Sequence, residues 1–207
     1  VIDTGIDYTH PDIQSNIFVN PGEDVGKDGI LGTMDEGEGD GVVQDEEFNK
    51  QDDDRDGFID DLRGWNFASN DNNPFDGFGH GTHVAGTIAG VSNDKGIIGV
   101  APKAKVLAVK GLGDDGYGYT SDLASAVYYS ALMDAEITNN SWGGYGSDDV
   151  LKDTFDFAHT IGLTSIAAAG KSTADALDFF PAGYDSVITV SASTSTDDRA
   201  WFSNWGE

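Results

Sequence analysis

Two glycines enclose a histidine in Gly79-His80-Gly81-Thr82-His83-Val84-Ala85-Gly86, and this stretch restricts what the chain can fold into more than any other. Glycine lets one backbone come close to another, and an imidazole is the side chain that exchanges a proton near neutral pH. A histidine that only fills a core needs neither. Far upstream, Val1-Ile2-Asp3-Thr4-Gly5-Ile6-Asp7 runs an apolar strand start into an acid and a glycine. Alone, Asp3 also reads as a cap or turn former. Ahead of His80 it begins the order acid, histidine, later serine, one of the chain orders in which a catalytic Ser-His-Asp set is found.

Further motifs follow in sequence: H-P-D at 10–12, G-H-G-T-H-V-A-G-T at 79–87, G-V-A-P at 99–102, N-S-W-G-G at 140–144 and A-A-A-G at 167–170. With V-I-D-T-G-I-D at 1–7 they give a chain that resembles the subtilisin-like serine proteases, the subtilases, in family order over nearly its whole length. The resemblance implies that Asp3 fixes the imidazole tautomer and that His80 is the general base. His83, three residues on, is implied to be structural. Gly116, Tyr117 and Gly118 match one of two segments between which such proteases take a peptide as an added strand, and Ser141, Trp142 and Gly143 match the other. Ala168 and Gly170 would line the primary specificity pocket, with Trp142 narrowing it. The implied function is a serine endopeptidase acting on polypeptide substrates, secreted and monomeric. The competing reading is a non-catalytic calcium-binding or peptide-binding relative.

Two departures qualify that reading. No G-T-S-x-A nucleophile motif occurs between Gly170 and Glu207. The expectation is a partial peptidase domain over 1–207, cut at both ends, whose serine lies beyond Glu207 and which is inactive alone. The second departure is Lys171, after Ala167-Ala168-Ala169-Gly170, where the family pattern has an asparagine in the oxyanion region. Loss of such a donor costs roughly 2.7–4 kcal/mol of transition-state stabilisation, a value taken from a subtilisin and so belonging to the family. A lysine offers a donor and a positive charge on a more flexible stem. Two readings stay open: Lys171 serves the oxyanion poorly, or it turns to solvent.

The charge excludes other classes. A net charge of −26 argues against nucleic acid as a partner, since phosphate binding needs the opposite sign, and against an anionic membrane. The absence of cysteine rules out disulfides and thiolate metal sites. No apolar run is long enough to span a bilayer. Residues 23–61 hold 16 Asp and Glu against 3 Lys and Arg, a local net charge of −13. Such a run is either a solvated face or a gathering of hard oxygen ligands.

Within this acidic insert, at about 20–63, Asp52, Asp54 and Asp56 alternate ahead of Gly57, the D-x-D-x-D-G spacing of a calcium loop. Arg63 stands where an EF-hand has its bidentate glutamate, so Asp60 or Asp61 is expected to close a related Ca2+ loop. From the resemblance alone, Asp12 and Asn93 form a second calcium candidate; the alternative is a hydrated turn.

The secondary-structure pattern is that of an α/β fold, a doubly wound parallel sheet with helices on both faces. Short apolar runs at 105–110, 162–169 and 186–192 read as strands buried on both faces. Apolar residues recur at helical spacing over 121–135, behind Ser121 as cap, and Ser147 with Asp148 opens a helix through Ile161 that buries Leu151, Phe155 and Ala158. Asp3 falls at a strand C-terminal end, where parallel sheets place active residues.

Overall fold

The computed structural model describes residues 1–26, 37–44 and 47–206, which leaves part of the acidic insert outside the description. The chain divides into two compact units, one of Val1 and Asp3–Gly118, the other of Ile2 and Tyr119–Glu207.

In the first unit, strand β1 (Ile2–Asp3) enters at its second residue, followed by β2 (Gly64–Asn66), helix α1 (His80–Ala89) and β3 (Ala108–Lys110). The strand order is β2-β3-β1, with Trp65 of β2 in parallel register with Val109 of β3. All three residues of β3 are buried, as expected of a strand covered on both faces. Its core joins Ile6, Ile13, Ile17, Ala85, Ala89, Val106 and Ala108. Small Ala85 and Ala89 on α1 bring the helix close to the strands.

In the second unit, Ile2 pairs with Asn140 of β4 (Ile137–Asn140), which is followed in the sheet by β6 (Thr164–Ala168) and β8 (Val187–Val190), all parallel. Helices α2 (Thr120–Leu132) and α3 (Asp149–Thr160) pack on each other. A small antiparallel pair, β5 (Gly144–Tyr145) with β7 (Phe179–Phe180), stands apart from the sheet. Helix α3 forms as its sequence dictates. Asp148 is its N-cap and accepts from Leu151 N at 2.9 Å, and Leu151, Phe155 and Ala158 are buried. Ser147 has no capping part.

Helix α2 departs from expectation at its start. Tyr119, not Ser121, is the N-cap, and no side chain caps it. Thr120 instead donates its hydroxyl to Asp148 Oδ2 at 2.7 Å. The buried face of α2 is Leu123, Ala124, Ala126, Val127, Tyr129 and Ser130, while Tyr128 and Leu132 are exposed.

Strands β6 and β8, expected to be buried on both faces, differ from expectation, and β4 shares their pattern. Thr138, Asn140, Ser165 and Ala167 are buried, whereas Ile137, Ala168, Ile188 and Val190 alternate with them and are exposed. Alternate side chains point to opposite faces of the sheet.

Phe155 is fully buried against Trp142 and Tyr184, with ring centroids 6.3 Å and 5.9 Å away. Phe155→Ala is expected to destabilise the second unit by about 3–5 kcal/mol. Urea denaturation followed by tryptophan fluorescence measures this, and a loss below about 1 kcal/mol would contradict the packing.

Candidate active site

Asp3 closes β1 and is fully buried, and His80 is the first residue of α1. Although 77 positions separate them, Asp3 Oδ1 lies 2.7 Å from His80 Nδ1. The imidazole side chain is 45% exposed, so the ring is held from below and open on its other edge. Asp3 Oδ1 also accepts from Thr4 N at 2.7 Å, while Oδ2 is buried and has no hydrogen-bond partner among the described residues. A buried carboxylate bonded to Nδ1 directs the proton there and leaves Nε2 as the acceptor. His83, by contrast, is exposed on α1.

The close approach rests on glycine. A Cβ at Gly81 would collide with the carbonyl oxygen of Gly5 and reach within 3.1 Å of Asp3 Cβ. Gly79, the N-cap of α1, has φ 100°, a left-handed conformation suited to glycine. Local sequence gave no signal for the residues around this pair. Asp76, in a stretch that reads as a turn, accepts from Thr4 Oγ1 at 2.8 Å, Gly79 N at 2.7 Å and Thr82 Oγ1 at 2.6 Å. Burial pushes its carboxyl up, but these donors outweigh that and hold it below the usual range. Lys110 at the end of β3, nearly buried, donates to the carbonyl of Thr4 and to Asp114 Oδ1 at 2.7 Å.

The remaining expected site residues sit within their own units. In the first, Gly116, with φ 80°, makes the tight turn of 113–117, where Gly113 N donates to Tyr117 O at 2.7 Å. The Tyr117 side chain stands out in solvent, 79% exposed. In the second, Ser141 is half-buried, Gly143 is exposed, and the Trp142 indole donates to Ile2 O at 2.9 Å, which pins the ring. Ala168, Gly170 and Lys171 are exposed. Gly170 has φ 104°, and its loop is held by Asn204, fully buried, which donates to Ala169 O at 2.9 Å and accepts from Ser172 N at 2.8 Å. Nothing local marked Asn204 for this part.

The acidic loop closes on itself. Carboxylate oxygens of Asp54, Asp56 and Asp61 lie within 4.8 Å of one another, as do those of Glu23, Asp52 and Asp54. Asp61 joins the group, with Oδ1 accepting from Asn20 Nδ2 at 2.6 Å, whereas the Asp60 carboxylate accepts from Lys50 N at 3.0 Å. Glu23 was invisible to spacing because it precedes the loop by some thirty positions. Gly22 beside it leaves room for Asp54, whose Oδ2 a Cβ would approach to 2.5 Å. Glu23 Oε2 and Asp56 Oδ2 are buried without a hydrogen-bond partner among the described residues. Converging carboxylates with unpartnered oxygens are a hard-cation donor set. Arg63 lies over the Tyr8 ring, 4.5 Å from its centroid. At the second candidate, Asp12 and Asn93 do meet, with Asn93 Nδ2 3.1 Å from Asp12 Oδ1. There Ile97 N already donates to Asp12 Oδ2 at 3.2 Å, and Lys95 N to Asn93 Oδ1 at 3.0 Å.

The fold is parallel α/β, with an acid at a strand end bonded to a histidine at a helix start. The subtilase family model matches residues 1–207, and the chain belongs to that family, whose members are serine peptidases. It is 35% identical over 207 residues to a thermophilic serine proteinase of Bacillus sp. (strain AK1), covering 100% of this chain and 40% of that protein. It is 39% identical over 146 residues to subtilisin DY of Bacillus licheniformis, covering 69% of this chain and 53% of the relative. The crystal structure of a cold adapted subtilisin-like serine proteinase superposes with a TM-score of 0.72 at 30% identity, over 100% of this chain and 58% of that one. The chain therefore spans between 40% and 58% of the length of these relatives.

Burial pushes the Glu23 carboxyl up to about 8 and that of Asp56 up to about 7. Both values lie above those of unfolded carboxyls, near ~4. Their stabilising contribution to the metal-free fold is complete below the unfolded value and is lost as pH rises through about 7 to 8. In a chelator, the thermal midpoint is thus expected to fall from about pH 5 to about pH 8, and excess calcium to flatten the trend. A midpoint that rises across this window in chelator would contradict it.

Proposed function

We propose that residues 1–207 supply the acid and base of a serine endopeptidase that cleaves polypeptide substrates, with a nucleophilic serine from outside these residues. The observation that carries this reading is the 2.7 Å bond between buried Asp3 and His80. His80 Nε2 takes the serine proton as the serine oxygen attacks the peptide carbonyl, and returns it to the amine as the C–N bond breaks; water then cleaves the acyl-enzyme by the same route. Gly116–Gly118 and Ser141–Gly143 are each proposed as substrate-contacting main chain, Ala168 and Gly170 as lining for a side chain of the substrate, and Lys171 as a weak oxyanion donor. An extracellular, monomeric protein that binds neither nucleic acid nor membrane completes the proposal. Among the described residues no helix is long and apolar enough to cross a membrane. Exposed Lys171 in place of the family's asparagine favours a second reading, a relative that binds peptide or calcium without cleaving.

We also assign Ca2+ to the acidic loop, held by Glu23, Asp52, Asp54, Asp56 and Asp61, where it would neutralise carboxylates that otherwise repel. The unpartnered buried oxygens support it. Asp12 and Asn93 are a weaker second calcium proposal, since backbone donors already occupy part of their valence.

Three measurements test these assignments. A fluorophosphonate probe is expected to leave the 207-residue chain unlabelled and to label a longer protein that carries a serine nucleophile. In that longer protein, Lys171→Asn should raise turnover on the order of a hundredfold. Labelling of the chain at a single serine would overturn the first expectation, and an unchanged rate the second. By calorimetry, calcium is expected to bind the wild-type chain, while an Asp54→Ala, Asp56→Ala double variant and Glu23→Gln bind weakly. Equal heats from all three proteins would remove the loop from the assignment.

A further inference from the structure

We propose that Asp76 is a positioning residue for the Asp3–His80 pair, acting through the hydroxyls of Thr4 and Thr82; the inference rests on the catalytic reading given above. Its carboxylate is a hub. Oδ1 accepts from Thr4 Oγ1 at 2.8 Å, Phe78 N at 3.0 Å and Gly79 N at 2.7 Å. Oδ2 accepts from Thr82 N at 2.9 Å and Thr82 Oγ1 at 2.6 Å. Asp76 thereby ties the residue after Asp3 to the two residues before His80 and to the first turn of α1.

Helix α1 has an unusual need for such a group. The first N–H groups of a helix lack intrahelical partners, and these are ordinarily met by an N-cap side chain. Here the N-cap is Gly79, which has none. Asp76, three residues earlier, takes the Gly79 and Thr82 N–H groups in its place, while Gly81 N donates to Thr4 Oγ1 at 3.0 Å.

The two hydroxyls set a direction. Thr4 Oγ1 accepts from Gly81 N and donates to Asp76; Thr82 Oγ1 accepts from Asp7 N at 2.8 Å and donates to Asp76. Both bridges run from the segment after Asp3 to the segment of His80, and both end on the same carboxylate. An ionised carboxylate only accepts, and every group facing Asp76 in these bonds is a donor. The isosteric amide of asparagine would set a donor against a donor at one oxygen position or the other. Asp76→Asn thus removes the hub without leaving a cavity.

The test is NMR on the 207-residue chain, reading the downfield His80 Nδ1 proton, identified by its loss in Asp3→Ala. In Asp76→Asn this proton is expected to move upfield and to exchange with solvent on the order of tenfold faster, the factor lost with a charged hydrogen bond. Thr82→Val should do the same and Thr82→Ser should restore it; this pair carries the test should Asp76→Asn not fold. Asp148→Ala, which removes a helix cap of the same chemistry from α3, should lower the melting temperature and leave the His80 proton unmoved. A wild-type proton retained unchanged in folded Asp76→Asn, or in Thr82→Val, would overturn the positioning role alone. Its absence from the wild-type chain would overturn the Asp3–His80 reading, and this proposal with it.

Discussion

The first turn of α1 lies against the Gly5 carbonyl at a distance that no side chain at position 81 permits. This contact decides where the helix begins, and therefore where His80 stands relative to Asp3. Ile6 N bonds to Pro74 O at 3.0 Å and Asp7 N to Thr82 Oγ1 at 2.8 Å, so the backbone after Asp3 is fastened to the residues on both sides of His80. The glycines that permit the approach carry no groups to cap the helix they open. Asp76 meets that need, and the same residue that completes the helix thereby also sets the acid–base pair.

The acidic segment faces a different problem. Its carboxylates converge from Glu23 and from 52–61, and burial opposes the ionisation of Glu23 and Asp56. Hydrogen bonds from the loop's own backbone meet part of this, as with Asp53 N to Glu23 Oε1 at 2.8 Å and Gly57 N to Asp52 Oδ2 at 3.0 Å. The oxygens left over are those that a divalent cation would satisfy, which is why calcium is the proposed occupant. Phe58 of the same segment packs edge-on against Trp65 of β2, 5.1 Å between centroids, so order in the loop reaches the strand beside it.

In the second unit, buried polar groups fix loops that local sequence leaves free. Asn204 bonds to the backbone on both sides of Gly170 and Lys171. A buried amide with each of its groups engaged is a specific device, because leaving any one unmade is costly. The loop of Lys171 is thus shaped from 33 positions away in sequence, while Lys171 itself stays exposed.

The sequence alone determined the family, through motifs in order, and with it the α/β class. It marked Asp3 and His80, the calcium spacing at Asp52, Asp54 and Asp56, and helix α3 with its Asp148 cap, because each of these is written in neighbouring residues. Only the tertiary structure decided the rest. It brought Glu23 to the acidic loop, chose Asp61 over Asp60, moved the start of α2 from Ser121 to Tyr119, and made Asp76 and Asn204 hubs. Each of these depends on which backbone donors and carboxylates meet across long stretches of chain, a matter of closure and burial that local propensity does not encode.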